Sequence, residues 1–350
     1  MKTRLPVRKA ILARRAYEPP GEGRARKVRL DFNENTAGCS PAVLRALAKL
    51  TAKELATYPE YARTTRRLAR HFGIAPEELL LTNGGDEALR LMFDTFVDAG
   101  SNVVICEPAF PMYRYWGEIH GAKILAVRYG RGMVFPLEGV MRALAQNPRV
   151  VFVCNPNNPT GTLARREEIE KILNAARRTA VVVDEAYAEF AGVTVMPWIR
   201  RYPQLFVVRS FSKTAGLAGL RLGALAACRE SMALVRRAAG PFSVNVAALA
   251  AAEAAVADGR TTRRYVSNVM RLRGWLEDKL NRMGVRTYPS AANFVLADFG
   301  ERGPGMFRRL ERRGILVRDR SKEAGPGHAR ITIGTGAEMR TLVKEIQRER

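Results

Sequence analysis

Short apolar runs alternate with longer amphipathic stretches through the middle of the chain. The runs extend over five or six nearly unbroken apolar positions at residues 102–106, 149–154, 180–184 and 205–209. Strands that are covered by helices on both faces lose the polar alternation of half-exposed strands, and parallel sheets are usually covered in this way. The pattern therefore predicts an α/β fold whose large domain holds a mostly parallel sheet flanked by helices.

Helix signals precede these runs. Ser40 followed by Pro41 is typical of a helix N-cap and first helical position, and apolar residues recur at helical spacing as far as Leu50. Farther on, the apolar run 79–82 leads into Asn83-Gly-Gly-Asp-Glu87, which opens a second amphipathic pattern. A glycine turn at the start of a helix offers backbone N–H groups to an anion. A tight turn without any ligand is the alternative explanation.

The pattern changes after residue 240. An alanine-rich helix, a longer amphipathic helix and then shorter strands and helices are predicted there, with the two helices near 244–257 and 262–283. These elements indicate a smaller α+β domain over residues 241–350. The large domain then covers residues 36–240, and residues 1–35 form an N-terminal arm that joins the small domain.

The charge balance raises the question of a polyanionic partner. The 350 residues include 58 Lys and Arg against 34 Asp and Glu, a net charge of +24, with 47% hydrophobic residues. Such an excess occurs in nucleic-acid-binding proteins. Here the arginines are spread along the chain, and no helix-turn-helix, zinc-finger or RNP motif accompanies them. Attraction of small anionic substrates is the preferred interpretation, and no nucleic-acid partner is expected.

Cysteine and histidine usage argues against a metal. The four cysteines and three histidines are dispersed and match no metal-ligand or redox spacing. The first 30 residues are basic but lack the apolar core of a signal peptide, and no uncharged run of about 18 apolar residues occurs. A cytoplasmic enzyme with no metal and no membrane partner is expected.

Lys213 stands in an unusual place for a lone lysine. It lies in the sequence Ser210-Phe-Ser-Lys213, between two apolar runs, so it is predicted in a loop that follows a buried strand. Functional residues of parallel sheets collect at the carboxyl ends of strands. The hydroxyls of Ser210 and Ser212 and the cation of Arg221 could hold a phosphate beside the Lys213 amine. An amine next to a bound phosphate suggests a covalent bond to the phosphorylated aldehyde pyridoxal 5'-phosphate.

The sequence around Lys213 allows two other interpretations. A lysine in a serine- and glycine-rich loop is most often solvated and without function. The spacing from Ser210 to Lys213 also fits the S-x-x-K pattern of serine acyl-enzymes, but the accompanying Ser-Asp-Asn and Lys-Thr-Gly motifs are missing from this sequence.

The order of the motifs in the large domain resembles that of the fold type I pyridoxal phosphate aminotransferases, which have the fold of aspartate aminotransferase. The matching motifs are Asn158-Pro-Thr-Gly161, Asp184-Glu-Ala-Tyr187, Ser210-Phe-Ser-Lys213 and Arg221. Within that group the chain is similar to the histidinol-phosphate aminotransferase family over nearly its whole length, through Asn33-Glu-Asn35, Tyr58-Pro59, Asn83–Glu87, Leu217–Arg221, Ala292-Asn-Phe294 and Arg330–Thr335.

The resemblance implies roles for the residues around the cofactor ring. Lys213 would bond covalently to the cofactor and move protons during catalysis, and Asp184 would pair with the pyridine nitrogen. Asn158 and Tyr187 would hydrogen-bond the phenolic oxygen of the cofactor. Phe110 would stack on the ring, at a position where the family usually has tyrosine.

The resemblance also implies a phosphate site and a dimer. The cofactor phosphate would be bound by the backbone N–H groups of Gly85 and Asp86 and by the side chains of Ser210, Ser212 and Arg221. Tyr58 would reach the cofactor phosphate of a neighbouring subunit. The active unit would then be a homodimer with two shared active sites.

Substrate recognition is expected at four further positions. Arg330 would bind the α-carboxylate of glutamate, or the phosphate of histidinol phosphate. Asn33, Tyr17 and Arg318 are the other predicted substrate-binding residues, with Tyr17 closing over the substrate. Arg318 and its neighbour Arg320 could instead lie in a solvated loop.

The implied reaction is a transamination in histidine biosynthesis, in which histidinol phosphate and 2-oxoglutarate give imidazole-acetol phosphate and glutamate. Aromatic (phenylalanine or tyrosine) aminotransferases and threonine-phosphate decarboxylases have the same cofactor residues. These two activities are the alternatives that the sequence leaves open.

Overall fold

The computed structural model describes residues 5–12, 14, 16 and 23–348. The strands, in chain order, are Val28–Leu30 (β1), Leu79–Asn83 (β2), Asn102–Glu107 (β3), Lys123–Arg128 (β4), Val150–Cys154 (β5), Ala180–Asp184 (β6), Leu205–Ser210 (β7), Leu222–Ala226 (β8), Arg286–Thr287 (β9), Phe294–Asp298 (β10), Ile315–Asp319 (β11) and His328–Thr332 (β12).

The helices frame these strands in the order that the sequence pattern indicates. They are Lys9–Leu12 (α1), Pro41–Leu47 (α2), Ala52–Ala56 (α3), Ala62–Phe72 (α4), Gly84–Phe96 (α5), Pro111–Ile119 (α6), Leu137–Leu144 (α7), Arg166–Ala175 (α8), Ala188–Ala191 (α9), Arg229–Ala238 (α10), Val246–Ala257 (α11), Gly259–Arg282 (α12), Gly303–Arg312 (α13), Ser321–Ala324 (α14) and Gly336–Gln347 (α15). Helix α2 begins as predicted, because the Ser40 side chain accepts a hydrogen bond from the Ala42 N–H and Pro41 occupies the first turn.

The large sheet has the strand order β2-β8-β7-β6-β5-β3-β4. The pairs between β7 and β4 are parallel, whereas β8 runs antiparallel to both of its neighbours. Successive residues of β5 enter opposite cores: Phe152 packs in one apolar cluster, and Val151 and Val153 pack in the other. Both faces of the sheet are therefore covered, and the predicted α/β fold with a mostly parallel sheet is confirmed.

The small sheet has the order β1-β11-β12-β10-β9, and β1 pairs in parallel with β11. Strand β1 thus adds an edge strand to the sheet of the C-terminal segment. Helices α12, α13 and α15 cover this sheet through a core that includes Leu276, Met306 and Leu342.

Helix α11 differs from the predicted domain division. Its apolar residues, among them Ala248 and Ala252, belong to the core under the large sheet, and the helix packs on α2 and α4. By its packing, α11 is part of the large domain. The predicted boundary at residues 240/241 assigns α11 to the small domain, and the next helix, α12, begins after its N-cap Asp258. No described helix is both long enough and apolar enough to cross a membrane.

Candidate active site

Most of the predicted site residues line one pocket at the carboxyl ends of β5, β6 and β7. They are Asn33, Gly85, Asp86, Phe110, Asn158, Asp184, Tyr187, Ser210, Ser212, Lys213, Arg221, Arg318 and Arg330. The loop between β7 and β8 carries Lys213, and because β8 returns antiparallel beside β7, it brings Arg221 back to the same end of the sheet. Side chains from distant segments converge here because parallel strands end at one edge.

Lys213 presents a desolvated amine to this pocket. Its Nζ donates a hydrogen bond to the carbonyl oxygen of Phe32 at 3.0 Å. Burial, together with the nearby cation of Arg330, lowers the pKa of Lys213 to about 8. At neutral pH about a tenth of the amine is therefore unprotonated and nucleophilic, far more than for a lysine of ordinary pKa.

Asp184 provides a buried carboxylate on the adjacent strand. Its Oδ2 accepts from the Tyr113 hydroxyl at 2.7 Å, and its Oδ1 accepts from the Ala186 N–H at 3.0 Å. Burial raises the pKa of Asp184 to about 6, and the hydrogen bond from Tyr113 opposes that rise. Both donors are neutral, and no described cation pairs with the carboxylate, so it can accept a cationic group from a ligand.

Tyr113 was not predicted as a site residue. It lies in α6, three residues after Phe110, the N-cap residue of that helix, and the two rings meet edge to face with their centroids 5.8 Å apart. The Tyr113 ring is buried against Phe152, with the ring centroids 5.0 Å apart, while its hydroxyl reaches Asp184. Its position just after the carboxyl end of a strand of the parallel sheet is a signal that the sequence carries, whereas the pairing with a residue 71 positions away is not visible in the sequence.

Tyr187 and Asn158 form a second polar group. The Tyr187 hydroxyl accepts from Asn33 Nδ2 at 2.9 Å and from Asn158 Nδ2 at 3.4 Å. Arg330 donates to Asn158 Oδ1 at 2.5 Å and also to the carbonyl oxygen of Asp31. These bonds fix the Asn158 amide so that its NH₂ group faces Tyr187. Burial raises the pKa of the Tyr187 phenol above its usual range, which keeps it protonated.

The start of α5 and the start of β8 lie close together and form an anion-binding site, here called the cradle. A Cβ atom on Gly223 would lie 2.4 Å from the backbone carbonyl carbon of Gly84, so only glycine allows this approach. Gly84 itself has a φ of +74°, which favours glycine. Arg221 reaches the helix N-terminus and pairs with Asp86, Nη2 to Oδ2 at 2.9 Å. Backbone N–H groups, a guanidinium and the nearby Ser210 and Ser212 together form an anion site.

Arginine side chains line the opposite wall. Arg318 lies on strand β11 and is the cross-strand partner of Arg330 on β12, so the alternative of a solvated loop for Arg318 and Arg320 is wrong. Arg320 is only 5% exposed. The Nε atoms of Arg320 and Arg330 are buried without a hydrogen-bond partner in the part of the chain that the structure describes. Burial, with the charge of Arg320, lowers the pKa of Arg330 to about 9, so Arg330 remains a cation at neutral pH.

Three further predicted residues differ in where the structure places them. Tyr58 does not line the pocket: it is 80% exposed and stacks on Phe242 with ring centroids 4.7 Å apart. Tyr17 lies outside the described residues. Asn33 lines the pocket, and its side chain is hydrogen-bonded to Tyr187 and Thr332, with 1% of the residue exposed.

Comparison with known proteins supports an enzyme of defined family. The profile of the family described as aminotransferase class I and II matches residues 25–346. A histidinol-phosphate aminotransferase from Geobacillus sp. (strain WCH70) is 36% identical over 323 residues, covering 90% of this chain and 88% of that protein. The enzyme of the same name from Symbiobacterium thermophilum is 35% identical over 354 residues, with 97% and 98% covered.

A solved structure agrees with the sequence relatives. The histidinol-phosphate aminotransferase from Sinorhizobium meliloti, determined in complex with pyridoxal-5'-phosphate, superposes with a TM-score of 0.90 at 27% identity. The alignment covers 100% of this chain and 99% of that one. The chain therefore belongs to the class I and II aminotransferases, in the histidinol-phosphate aminotransferase family.

Proposed function

We propose that this protein binds pyridoxal 5'-phosphate in the pocket around Lys213 and transfers the amino group of histidinol phosphate to 2-oxoglutarate. The observation that carries the proposal is the convergence of an amine with a lowered pKa, a carboxylate without a cationic partner and an anion cradle in one pocket. The names of the sequence relatives supply the substrate, and the arginine wall of the pocket is compatible with it.

The residues of the pocket fit the cofactor group by group. The cradle of Gly85, Asp86, Ser210, Ser212 and Arg221 would hold the phosphate. Asp184 would hold the protonated ring nitrogen, and Asn158 and Tyr187 would hydrogen-bond the phenolic oxygen, with Phe110 against the ring. When bound, pyridoxal 5'-phosphate supplies the aldehyde that takes up an amino group and the ring that delocalises charge from the substrate α-carbon.

The protein's own groups then have separable tasks. Lys213 Nζ, which donates a hydrogen bond to the Phe32 carbonyl oxygen, would take a proton from the substrate α-carbon and deliver it to the C4′ carbon of the cofactor, and would carry it the opposite way in the second half-reaction. Asp184 keeps the ring nitrogen protonated. The arginines orient the anionic ends of the substrates, and the buried position of the amine limits the access of water.

Arg318, Arg320 and Arg330 favour a phosphorylated amino donor. A phosphate dianion can pair with several guanidinium groups at once, and the same arginines can bind the carboxylates of glutamate and 2-oxoglutarate. Phenylalanine and tyrosine have a single anionic group, the α-carboxylate, and their neutral side chains would leave at least one of the buried Nε groups of Arg320 and Arg330 unpaired, at a cost of about 1–3 kcal/mol. This observation favours histidinol phosphate over phenylalanine or tyrosine.

We further propose that the enzyme is a cytoplasmic homodimer. Tyr58, Leu55 and Phe242 are 80%, 64% and 51% exposed, an apolar group that a second subunit could cover. Tyr58 would then reach the cofactor phosphate of the partner subunit. The four cysteines are free, which suits a reducing compartment.

The test is a spectroscopic half-reaction. Purified protein is loaded with pyridoxal 5'-phosphate, and loss of its near-visible absorption band is followed with histidinol phosphate, phenylalanine, O-phosphothreonine or glutamate added separately. Histidinol phosphate should act at far lower concentration than phenylalanine. A preference for phenylalanine would assign an aromatic aminotransferase, and release of carbon dioxide from O-phosphothreonine would assign the decarboxylase. If no band forms after cofactor addition, the cofactor proposal is wrong.

A further inference from the structure

Residues 31–36, here called the bridging segment, connect the two domains beside the active site. Toward the large domain, the carbonyl oxygen of Phe32 accepts from Lys213, and Asn35 Nδ2 donates to the carbonyl oxygen of Thr214 at 3.3 Å. Toward the small domain, Thr36 Oγ1 donates to Glu338 Oε2 at 2.6 Å. The segment therefore contacts the lysine loop and the small domain within six residues.

Asn33 lies at the centre of this segment and forms hydrogen bonds with residues of both domains. Its backbone N–H donates to Thr332 Oγ1 at 2.9 Å, and its carbonyl oxygen accepts from Asn293 Nδ2 at 3.0 Å. Its side-chain Oδ1 accepts from Thr332 Oγ1 at 3.2 Å, which assigns the amide orientation and leaves Nδ2 to donate to the Tyr187 hydroxyl oxygen at 2.9 Å. Asn33 has a φ of +56°, a left-handed conformation that asparagine tolerates better than most residues.

These contacts determine which hydrogen bonds the Tyr187 hydroxyl can still make. A phenol can donate one hydrogen bond and has limited capacity to accept. The Tyr187 oxygen already accepts from Asn33 and, more weakly, from Asn158. No acceptor for the Tyr187 O–H occurs among the described residues, so the proton is left for a ligand in the pocket that Tyr187 lines.

We propose that Asn33 is a positioning residue that fixes Tyr187 as a hydrogen-bond donor to the phenolic oxygen of the cofactor and couples that bond to the position of the small domain. The inference rests on the proposed function, because it requires the cofactor. Asn33 needs no contact with substrate in this role. The coupling follows from the geometry, since Asn33 is held by Thr332 on β12, the strand that also carries Arg330.

The experiment measures the pKa of the bound cofactor from the pH titration of its near-visible band. A donor to the phenolic oxygen withdraws charge from it and disfavours protonation of the cofactor, so loss of the donor should raise that pKa. Asn33→Gly removes the side chain without backbone strain at positive φ. We expect an upward shift of roughly 0.5 to 1 unit, in the same direction as Tyr187→Phe. In a Tyr187→Phe background, Asn33→Gly should cause no further shift.

Matched variants separate this role from a structural one. Thr36→Ala alters the same segment but removes only the contact with Glu338, and it should leave the pKa unchanged. Thr332→Val removes the hydroxyl that holds the Asn33 amide and should raise the pKa by a smaller amount, whereas Thr332→Ser keeps the hydroxyl and should not. This pair tests the inference even if Asn33→Gly fails to fold.

Three results would overturn the inference. One is an unchanged pKa in both Asn33→Gly and Thr332→Val while Tyr187→Phe shifts it. Another is a shift of equal size in the presence and absence of the Tyr187 hydroxyl, which would mean that Asn33 acts by another route. The third, absence of any band in the wild-type protein, would reject the proposed function and this inference with it, and is distinguishable from the first two because those retain the band.

Discussion

At Lys213 the two main influences on the amine act in the same direction. Removal from water disfavours the ammonium form, and the cation of Arg330 disfavours it further, so the pKa falls from 10.5 to about 8. The unprotonated amine is the form that attacks an aldehyde. The reactivity of the apoprotein toward its cofactor should therefore change with pH near 8.

The rate at which pyridoxal 5'-phosphate bonds to the apoprotein should rise with pH and level off above about 8. Stopped-flow absorbance between pH 6 and 10 would measure it. Arg330→Gln removes the neighbouring cation and should move the midpoint upward. A midpoint near the ordinary lysine value of 10.5 in the wild-type protein would show that the amine is not desolvated before the cofactor binds.

Substitution of Asp184 should lower turnover far more than substitution of Tyr113. Asp184→Asn removes the charge that stabilises a protonated ring nitrogen, and kcat should fall by about 100-fold or more. Tyr113→Phe removes one hydrogen bond to the carboxylate and should lower kcat/KM by roughly 2- to 10-fold. Steady-state kinetics with full cofactor loading would measure both. If both variants lost the same factor in activity, the carboxylate charge of Asp184 would not have the larger role that is assigned to it here.

At the scale of elements, the close approach of β8 to the start of α5 determines the shape of the cradle. The approach depends on Gly223, because its missing side chain lets the backbones of the two elements meet. Arg221 enters the pocket from the same turn, in the left-handed conformation with φ +55°. A shift of β8 away from α5 would therefore separate the guanidinium from the helix N-terminus.

Gly223→Ala should destabilise the fold and weaken cofactor binding. A Cβ atom there would lie 2.4 Å from Gly84 backbone, so the elements must separate. Overpacking of this kind costs about 1–3 kcal/mol. Urea unfolding and the cofactor Kd would measure the two effects. Gly219→Ala, four residues earlier in the turn before β8 and with nothing within 4 Å of the added Cβ atom, is the control and should change neither.

For the whole molecule, the site depends on contacts between the two domains of the chain and, in the proposed homodimer, on a contact between two chains. Within the chain, Arg330 of the small domain contacts Asn158 of the large domain, so the pocket is built across both domains. Between chains, the exposed Tyr58 on Phe242 is the residue proposed to act in a neighbouring pocket. The Arg330–Asn158 contact is present in the single chain, whereas the proposed role of Tyr58 requires a second chain.

Mixing Tyr58→Ala with Lys213→Ala protein should restore activity if sites are shared. A mixed dimer has one pocket with an intact lysine from one chain and an intact tyrosine from the other. Random exchange of equal amounts would recover about a quarter of wild-type activity, since half of the dimers have one complete site of two. The unmixed variants are the controls. No recovery after confirmed subunit exchange would show that Tyr58 does not act across the interface.

The sequence alone determined the elements and the candidate chemistry where signals are local. Apolar runs indicated β3, β5, β6 and β7, Ser40-Pro41 indicated the start of α2, and the spacing of motifs around Lys213 indicated the cofactor and the family. Each of these features depends on neighbours within a few residues or on a contiguous motif. These features can therefore be predicted from the order of residues along the chain.

Only the tertiary structure decided the contacts between distant segments. The antiparallel course of β8, the packing of α11 on the large domain, Arg318 on a strand, and the bonds from Tyr113 to Asp184 and from Asn33 to Tyr187 were not predicted. The last two join residues 71 and 154 positions apart. No local propensity encodes such pairs, because they form only when burial of the two sheets brings their strand ends together and the desolvated polar groups there must find partners.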